Sequence, residues 1–366
     1  MLRSLIFALS IVFALVSSCS AGLVTPRVAS PFDGQYIVVN SQNNATEWWW
    51  VQVGAPAKDG ESPPSFHATF YQGYPISVLR EASGGNSAPE NYIVINGAFP
   101  NGTVFAYNLV ASASSVTYSG NAVHGSWPGA GSFDNSADLS TFTVTLDSPS
   151  VKGTITINSN APHHYGCNTT TDPANEDEFY TKLGWATSQP GGAASVSVVL
   201  DGTPFEFDGQ GYHDANWMTQ PIDAFMDNWY FVNAQVGPYD LSSVWSHITG
   251  STREFTTGFL QADGVILQNQ CSVEGAKADD FSKLTPWGLK YDEPSGVNVF
   301  EGFILEYTLA NGDLYRFILT GQSLVLDQPI YHRWVGSAVG GMVGGEQYEG
   351  TTMYDWLNPS LTPYNG

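Results

Sequence analysis

The sequence predicts an all-β protein of two successive antiparallel β modules, barrel or sandwich, with few short helices. Three observations predict it. Apolar and polar residues alternate along many short runs, the period of a half-buried strand. The 366 residues include 38 Gly and 21 Pro, enough to punctuate the chain with turns. No stretch holds a helical apolar stripe for long.

In chain order, residues 1–20 (MLRSLIFALSIVFALVSSCS) place Arg3 before an apolar run from Leu5 to Val16, followed by small residues. This is the three-part pattern of a secretory signal, and its run falls short of the ~20 apolar residues of a spanning helix. Cleavage is expected after Ser20, giving an N-terminal β domain at 21–205 and a C-terminal β-barrel domain at 206–366. Val16-Ser17-Ser18-Cys19 also reads as a lipoprotein box. Three downstream glycosylation sequons, at Asn44, Asn101 and Asn168, favour the secretory-pathway lumen or secretion instead. The remaining chain has no second long apolar segment, so no membrane anchor is expected. Beyond the leader stand Cys167 and Cys271. Two thiols in an oxidising compartment suggest one disulfide, with two buried free cysteines as the alternative.

Strands follow one another. Glu47–Val53 puts Trp49, Val51 and Val53 on one face and Trp48, Trp50 and Gln52 on the other. In 66–71, Phe66, Ala68 and Phe70 share a face. Runs at 93–99 and 104–110 flank Pro100-Asn101-Gly102, a hairpin signal that places Asn101 at an exposed tip. Further runs at 141–146 and 153–157, and at 195–200 and 204–207, flank their own turns. Residues 229–236, 241–248, 256–261 and 264–270 read as a meander, and 299–309 and 314–319 flank Asn311-Gly312. Short helices are expected at Pro221–Asn228 and Ala276–Leu284.

Charge excludes partners. Lys+Arg is 12 against Asp+Glu 34, a formal charge of −22. Such a chain repels phosphate, which argues against nucleic acid and anionic membranes. Neutral glycans, apolar small molecules and proteins remain. No Gly-x-Ser-x-Gly elbow, phosphate-cradling loop, Rossmann opening or Cys-x-x-Cys occurs. His163-His164 is an adjacent pair without metal-site spacing, so no metal and no cofactor are expected.

One segment is dense in chemistry: Tyr212-His213-Asp214-Ala215-Asn216-Trp217, then Asn228 to Tyr239. From Trp229, a strand puts Trp229, Phe231, Asn233 and Gln235 on one face and Tyr230, Val232, Ala234 and Val236 on the other. The second face is ordinary core. The first mixes aromatics with amides, as in a pocket that stacks an apolar ligand and fixes it by a few hydrogen bonds. The next strand adds Trp245 and His247. Aromatics filling a barrel, with amides bonded to backbone, is the plainer reading of the same faces.

Tyr-x-Asp-x-x-Trp (Tyr212, Asp214, Trp217) before a Trp-Tyr strand, with Trp-Trp-Trp near the start, resembles the hydroxyneurosporene-synthase-like family of two-domain lipocalin-like proteins. Gln235-Val-Gly-Pro-Tyr239 and Tyr348-Glu-Gly350 resemble its fungal branch of Diels–Alderases and hetero-Diels–Alderases. The bacterial hydratase pattern carries His where Ala215 stands and Gly where Met218 stands, so hydration of an alkene is not implied. The likeness spans about 47–350.

The resemblance implies a cofactor-independent pericyclase acting on an apolar polyketide or terpenoid, for instance joining a tropolone quinone methide to a humulene-type terpene. Preorganisation is then the main source of rate. Asn233 and Gln235 would orient the reaction by hydrogen bonds, with Tyr212, Asn216, Tyr239 and His247 as further donors. Trp48, Trp50, Trp229, Trp245 and Trp334 would stack the substrate. If dehydration comes first, His213 or Asp214 would be the general acid, or Asp214 caps loop backbone instead. Two rivals stand beside this: a secreted glycan-active enzyme using a pair from Glu206, Asp214, Asp223 and Asp227, and a non-catalytic lipocalin-like carrier. The sequence is silent on oligomeric state.

Overall fold

The computed structural model describes residues 31–40, 44–76, 90–159, 161–166, 178–180, 183–250, 254–273, 281–293, 296–328 and 330–358. The expected leader, Cys167 and Asn168 lie outside them, and with Cys167 so does the expected disulfide.

The first sheet comprises β1 (Thr46–Gly54), β2 (Ser65–Gln72), β3 (Asn91–Ala98), β4 (Val104–Val110), β5 (Ser115–Ser119), β6 (Ala122–Trp127) and β7 (Gly131–Asn135). It continues with β8 (Thr141–Asp147), β9 (Val151–Asn158), β10 (His164–Tyr165), β11 (Glu178–Tyr180), β12 (Leu183–Gln189), β13 (Ala193–Leu200) and β14 (Thr203–Met218). Its main row runs β4-β3-β2-β1-β14-β13-β9-β8-β7-β6-β5, with β12 on the far half of β14. The sheet folds on itself around Trp49, Phe70, Trp127 and Phe133, whose rings meet at 5.1–5.9 Å. Burying each such ring stabilises by a few kcal/mol.

After a 3-10 turn at Ile222–Ala224 the second sheet follows: β15 (Met226–Val236), β16 (Tyr239–Ile248), β17 (Glu254–Ala262), β18 (Val265–Val273), β19 (Phe281–Asp292), β20 (Val297–Thr308), β21 (Leu314–Gln328), β22 (Tyr331–Met342) and β23 (Tyr348–Leu357). The order β18-β17-β16-β15-β23-β22-β21-β20-β19 brings the outer strands β18 and β19 together as a half-barrel. Its interior is filled by aromatics, among them Tyr230, Phe303, Tyr307, Phe317, Tyr354 and Trp356. Among the described residues all the strand pairs are antiparallel.

Alternation set the faces as expected. Trp49, Val51 and Val53 lie in the first module's core, while Trp48 and Trp50 join Trp229 and Phe231 in a third cluster between the modules. Tyr230, Val232, Ala234 and Val236 are barrel interior. Two short motifs meet: the ring of Tyr348 packs over Gly237 (φ +58°), where a Cβ would sit 2.4 Å from it.

Three elements differ from expectation. The sheets part between Met218 and Met226, whereas the expected division after residue 205 falls inside β14. Thr203–Met218 stays one strand because its first half pairs β13 and its second half pairs β1 and β12. Pro221–Asn228 makes only the 3-10 turn before β15 begins, and 281–284 opens β19 rather than ending a helix.

Candidate active site

A cavity of about 510 Å³ lies between the modules. Strand register assembles it. On the first module, Trp48 stands opposite Asn216 and Trp50 opposite Asp214 across β1–β14, and Tyr71 and Thr69 opposite the same two indoles across β1–β2. On the second, Trp229 pairs with Leu357 and Phe231 with Asp355, and β22 adds Tyr331 and Arg333 beside Leu357 and Asp355. All of these residues line the cavity. Two antiparallel sheets, each turning one alternate set of side chains inward, thus give one chamber.

Most of the wall is apolar, including Ile76, Val94, Ile222, Ile330 and Leu357. Part of it is polar. Asp214, 1% exposed, accepts 2.7 Å hydrogen bonds from the Tyr212 hydroxyl at Oδ2 and from Asn216 Nδ2 at Oδ1. Burial pushes its carboxyl up to about 7, against the opposing pull of Tyr212, His213 and Asn216. That is a proton donor poised near neutrality.

The same cavity wall holds a buried ion pair. Arg333 donates from Nε to Asp355 Oδ1 (2.7 Å), and from one terminal nitrogen to Asp355 Oδ2 (3.0 Å) and the Tyr331 hydroxyl (2.7 Å). Its other terminal nitrogen donates to Asn96 Oδ1 at 3.1 Å, across the module boundary. Tyr331 in turn donates to Asp355 Oδ2. Burial opposes the guanidinium charge, but Asp355 outweighs it and holds Arg333 fully protonated. Four of its five N–H groups are engaged by these bonds, leaving one for a ligand. Its carbon lies 5.1 Å over the Trp50 ring. Tyr71 is held protonated, its pKa raised to about 12 by burial.

The sequence candidates divide sharply. Trp48, Trp50, Asp214, Asn216 and Trp229 line the cavity, and Tyr212 supports it through Asp214. His213 does not reach it: successive strand residues point apart, so with Asp214 inward His213 is turned into the first module. There it contacts the Trp50 carbonyl (2.7 Å) and the Asp33 carboxylate (3.0 Å) and stacks on Phe142. Asn233 and Gln235 are not in the cavity wall either. Gln52 donates to Asn233 (2.8 Å) and Gln235 donates to the Gly211 carbonyl (2.7 Å), so the two amides join the modules. Trp334 belongs to the barrel core, and Tyr239 and Trp245 pack against that core. His247 stacks on Trp245 at 5.8 Å. The plainer reading, aromatics filling a barrel, holds for these four.

Of the carboxylates suited to glycan cleavage, only Asp214 lines the cavity. Glu206 is exposed and accepts from Ser197, and Asp223 and Asp227 stand outside the wall. His164 is buried flat against Phe259 at 3.7 Å, and burial lowers its pKa to about 3. Among the described residues one group could hold a cation: Asp292, Asp327 and His332, behind the β21–β22 wall, with His332 Nε2 at 3.1 and 3.2 Å from the two carboxylates.

Sequence reasoning missed Arg333, Asp355, Tyr331, Asn96, Tyr71 and Trp185. Arg333 carried a signal: a cation in an apolar strand of a chain with 12 Lys and Arg.

Comparison with known proteins gives the family and the fold. The profile of the family described as Diels-Alderase-like matches residues 70–358. The quinolone epoxide rearrangement protein penF of Penicillium thymicola is 30% identical over 325 residues, 85% of each chain. The Diels-Alderase cheD of Chaetomium globosum is 24% identical over 70% of this chain and 64% of that protein. The crystal structure of CghA with Sch210972 superposes with a TM-score of 0.71 at 21% identity, covering 92% of this chain and 97% of that one, and so shares the fold.

Proposed function

Because the chain belongs to the Diels-Alderase-like family, enzymes of cyclase or pericyclase type in fungal secondary metabolism, we propose that it catalyses a (hetero-)Diels–Alder cycloaddition in the cavity between its modules. The observation that carries this reading is the cavity's lining: a mostly apolar chamber whose wall holds one weak acid, Asp214, and one ion-paired cation, Arg333. The walls would hold diene and dienophile in near-attack contact. The remaining N–H of Arg333 would polarise the heterodiene oxygen, lowering the barrier and choosing the face of attack. New C–C and C–O bonds form from π electrons alone, so no proton or cofactor is consumed.

Where the heterodiene must first be made, protonated Asp214 supplies the step. Its proton goes to a carbinol oxygen, the C–O bond breaks and water departs. The ring hydroxyl then returns a proton to the Asp214 carboxylate, leaving a neutral quinone methide and restoring the acid. A tropolone quinone methide captured by a humulene-type polyene suits a mostly apolar cavity that carries one acid and one cation. The same acid favours a second reading. An epoxide oxygen could take the Asp214 proton as its C–O bond opens, the resulting cation rearranging and returning a proton to the carboxylate; the penF relative is named for the rearrangement of a quinolone epoxide.

The assay offers the protein a hydroxymethyl-tropolone precursor with humulene, and separately a quinolone epoxide, and follows products by chiral chromatography. Stereoselective adduct faster than in buffer supports the first reading. Turnover of the epoxide alone replaces it with the second, and inertness toward both with tight binding of either leaves a carrier.

A secretory route belongs to the same proposal. Asn44 and Asn101 are exposed, and Asn101 sits at the β3–β4 hairpin tip, both open to a glycan. Glycosidase-induced mass shifts, and peptide mapping without reduction for a Cys167–Cys271 bond, test it.

A further inference from the structure

Resting on the reading of the cavity as the cyclisation site, we infer that its ligand is an oxygenated ring system held by both modules at once. One oxygen acceptor meets the indole N–H of Trp50, a second meets the indole N–H of Trp229, and a hydroxyl donates to Oδ1 of Asn216. Among the described residues these three buried atoms have no hydrogen-bond partner, and all three residues belong to the cavity wall. The side chains are fixed and nearly enclosed, at 6%, 8% and 2% exposure. Buried polar groups are almost always paired, so three unpaired ones around one chamber mark where a partner arrives from outside the chain.

Each atom specifies the chemistry of its partner. An indole N–H can only donate, so it needs an oxygen or nitrogen lone pair. Asn216 already spends its Nδ2 on Asp214 Oδ1 at 2.7 Å, and its carbonyl oxygen therefore needs a donor. Neighbouring rings set the indole planes: Phe231 stands 5.2 Å edge-on to Trp50, and Trp185 lies 6.0 Å from Trp229. Trp50 stands on β1 of the first module and Trp229 on β15 of the second, so a ligand using both bridges the module boundary. A hydroxylated quinone or related keto-enol ring has the required set, two acceptors and a donor. A plain hydrocarbon has none of it, and would leave all three groups unpaired.

The test uses the full chain and four probes in calorimetry: hydroxynaphthoquinone, naphthoquinone, naphthol and naphthalene. Wild type is expected to rank them in that order. Trp50→Phe and Trp229→Phe keep the ring and remove the N–H. Each is expected to weaken hydroxynaphthoquinone and naphthoquinone about tenfold, the worth of one neutral hydrogen bond, and to leave naphthalene unchanged. Asn216→Leu should weaken hydroxynaphthoquinone and naphthol but spare naphthoquinone. The unliganded Phe variants should be as stable as wild type or more so, because an unpaired buried N–H has been removed; a variant that melts earlier is titrated at a temperature where it is fully folded, and methylation of the probe's hydroxyl must reproduce the Asn216 effect. Naphthalene binding as tightly as the quinones, Phe variants that bind them undiminished, or no oxygenated probe binding at all overturns the inference. Failure to form adduct while the probe ranking holds overturns only the cycloaddition reading.

Discussion

Tyr212 donates its phenolic hydrogen to Oδ2 of Asp214 at 2.7 Å, from two residues away on the same face of β14. Burial, and then the charge of Asp214, hold the phenol protonated, so the bond always favours the carboxylate form. Tyr212→Phe therefore raises the Asp214 pKa. The acid-dependent limb of the rate profile should move to higher pH by about half to one unit, at a stability cost of about 1 kcal/mol. A pH–rate profile of the variant beside wild type measures it.

Asp214 also predicts how stability depends on pH. Its folded pKa, about 7, lies above the ordinary carboxyl value of 3.8. The native state thus binds an extra proton between those values, and the stability gained is full below about pH 4 and lost as pH rises through about 7. The full span is about 4 kcal/mol. Asp214→Asn should lack this slope, so urea midpoints should show the variant gaining on wild type between pH 4 and 8. Asp240, raised to about 6 by burial, contributes a slope of its own to both proteins and cancels in the difference.

Removing Arg333 alone strands Asp355 in the protein interior. Arg333→Met should destabilise by about 3–5 kcal/mol, while Arg333→Met with Asp355→Leu recovers most of that. Both should lose cyclisation. Equal stability of the single and double variants would contradict a paired charge at this position.

Asn233 and Gln52 form a cross-module amide pair at 2.8 Å. Asn233→Ala should cost about 1–3 kcal/mol in denaturant melts by leaving Gln52 unpaired. Product stereochemistry should not change, since the residue is outside the cavity wall. Scrambled product from a well-folded variant would bring Asn233 back into the site.

The first half of the site was legible because alternation alone separates Trp48 and Trp50 from Trp49, and Trp229 and Phe231 from Tyr230. The same rule could have removed His213 once Asp214 was placed. What alternation cannot say is which inward face meets a ligand and which meets another sheet. Trp245, Tyr239 and Trp334 therefore looked like Trp229 until the barrel closed around them. Arg333 and Asp355 were hidden for another reason. They are 22 residues apart and meet only through the β22–β23 register, and their partner Asn96 lies 237 residues from Arg333.

Cyclisation in the inter-module cavity, with Asp214 as its acid, has a direct kinetic signature. Single-turnover cyclisation of a hydroxymethyl-tropolone precursor with humulene, in wild type and in Asp214→Asn across pH 5 to 9, tests it most directly. Wild type should give stereoselective adduct at a rate that falls as pH rises through about 7, and a folded Asp214→Asn variant that still binds the substrates should be slow and pH-insensitive. A variant with wild-type rate and pH profile, or a wild type no faster or more selective than buffer, would contradict it.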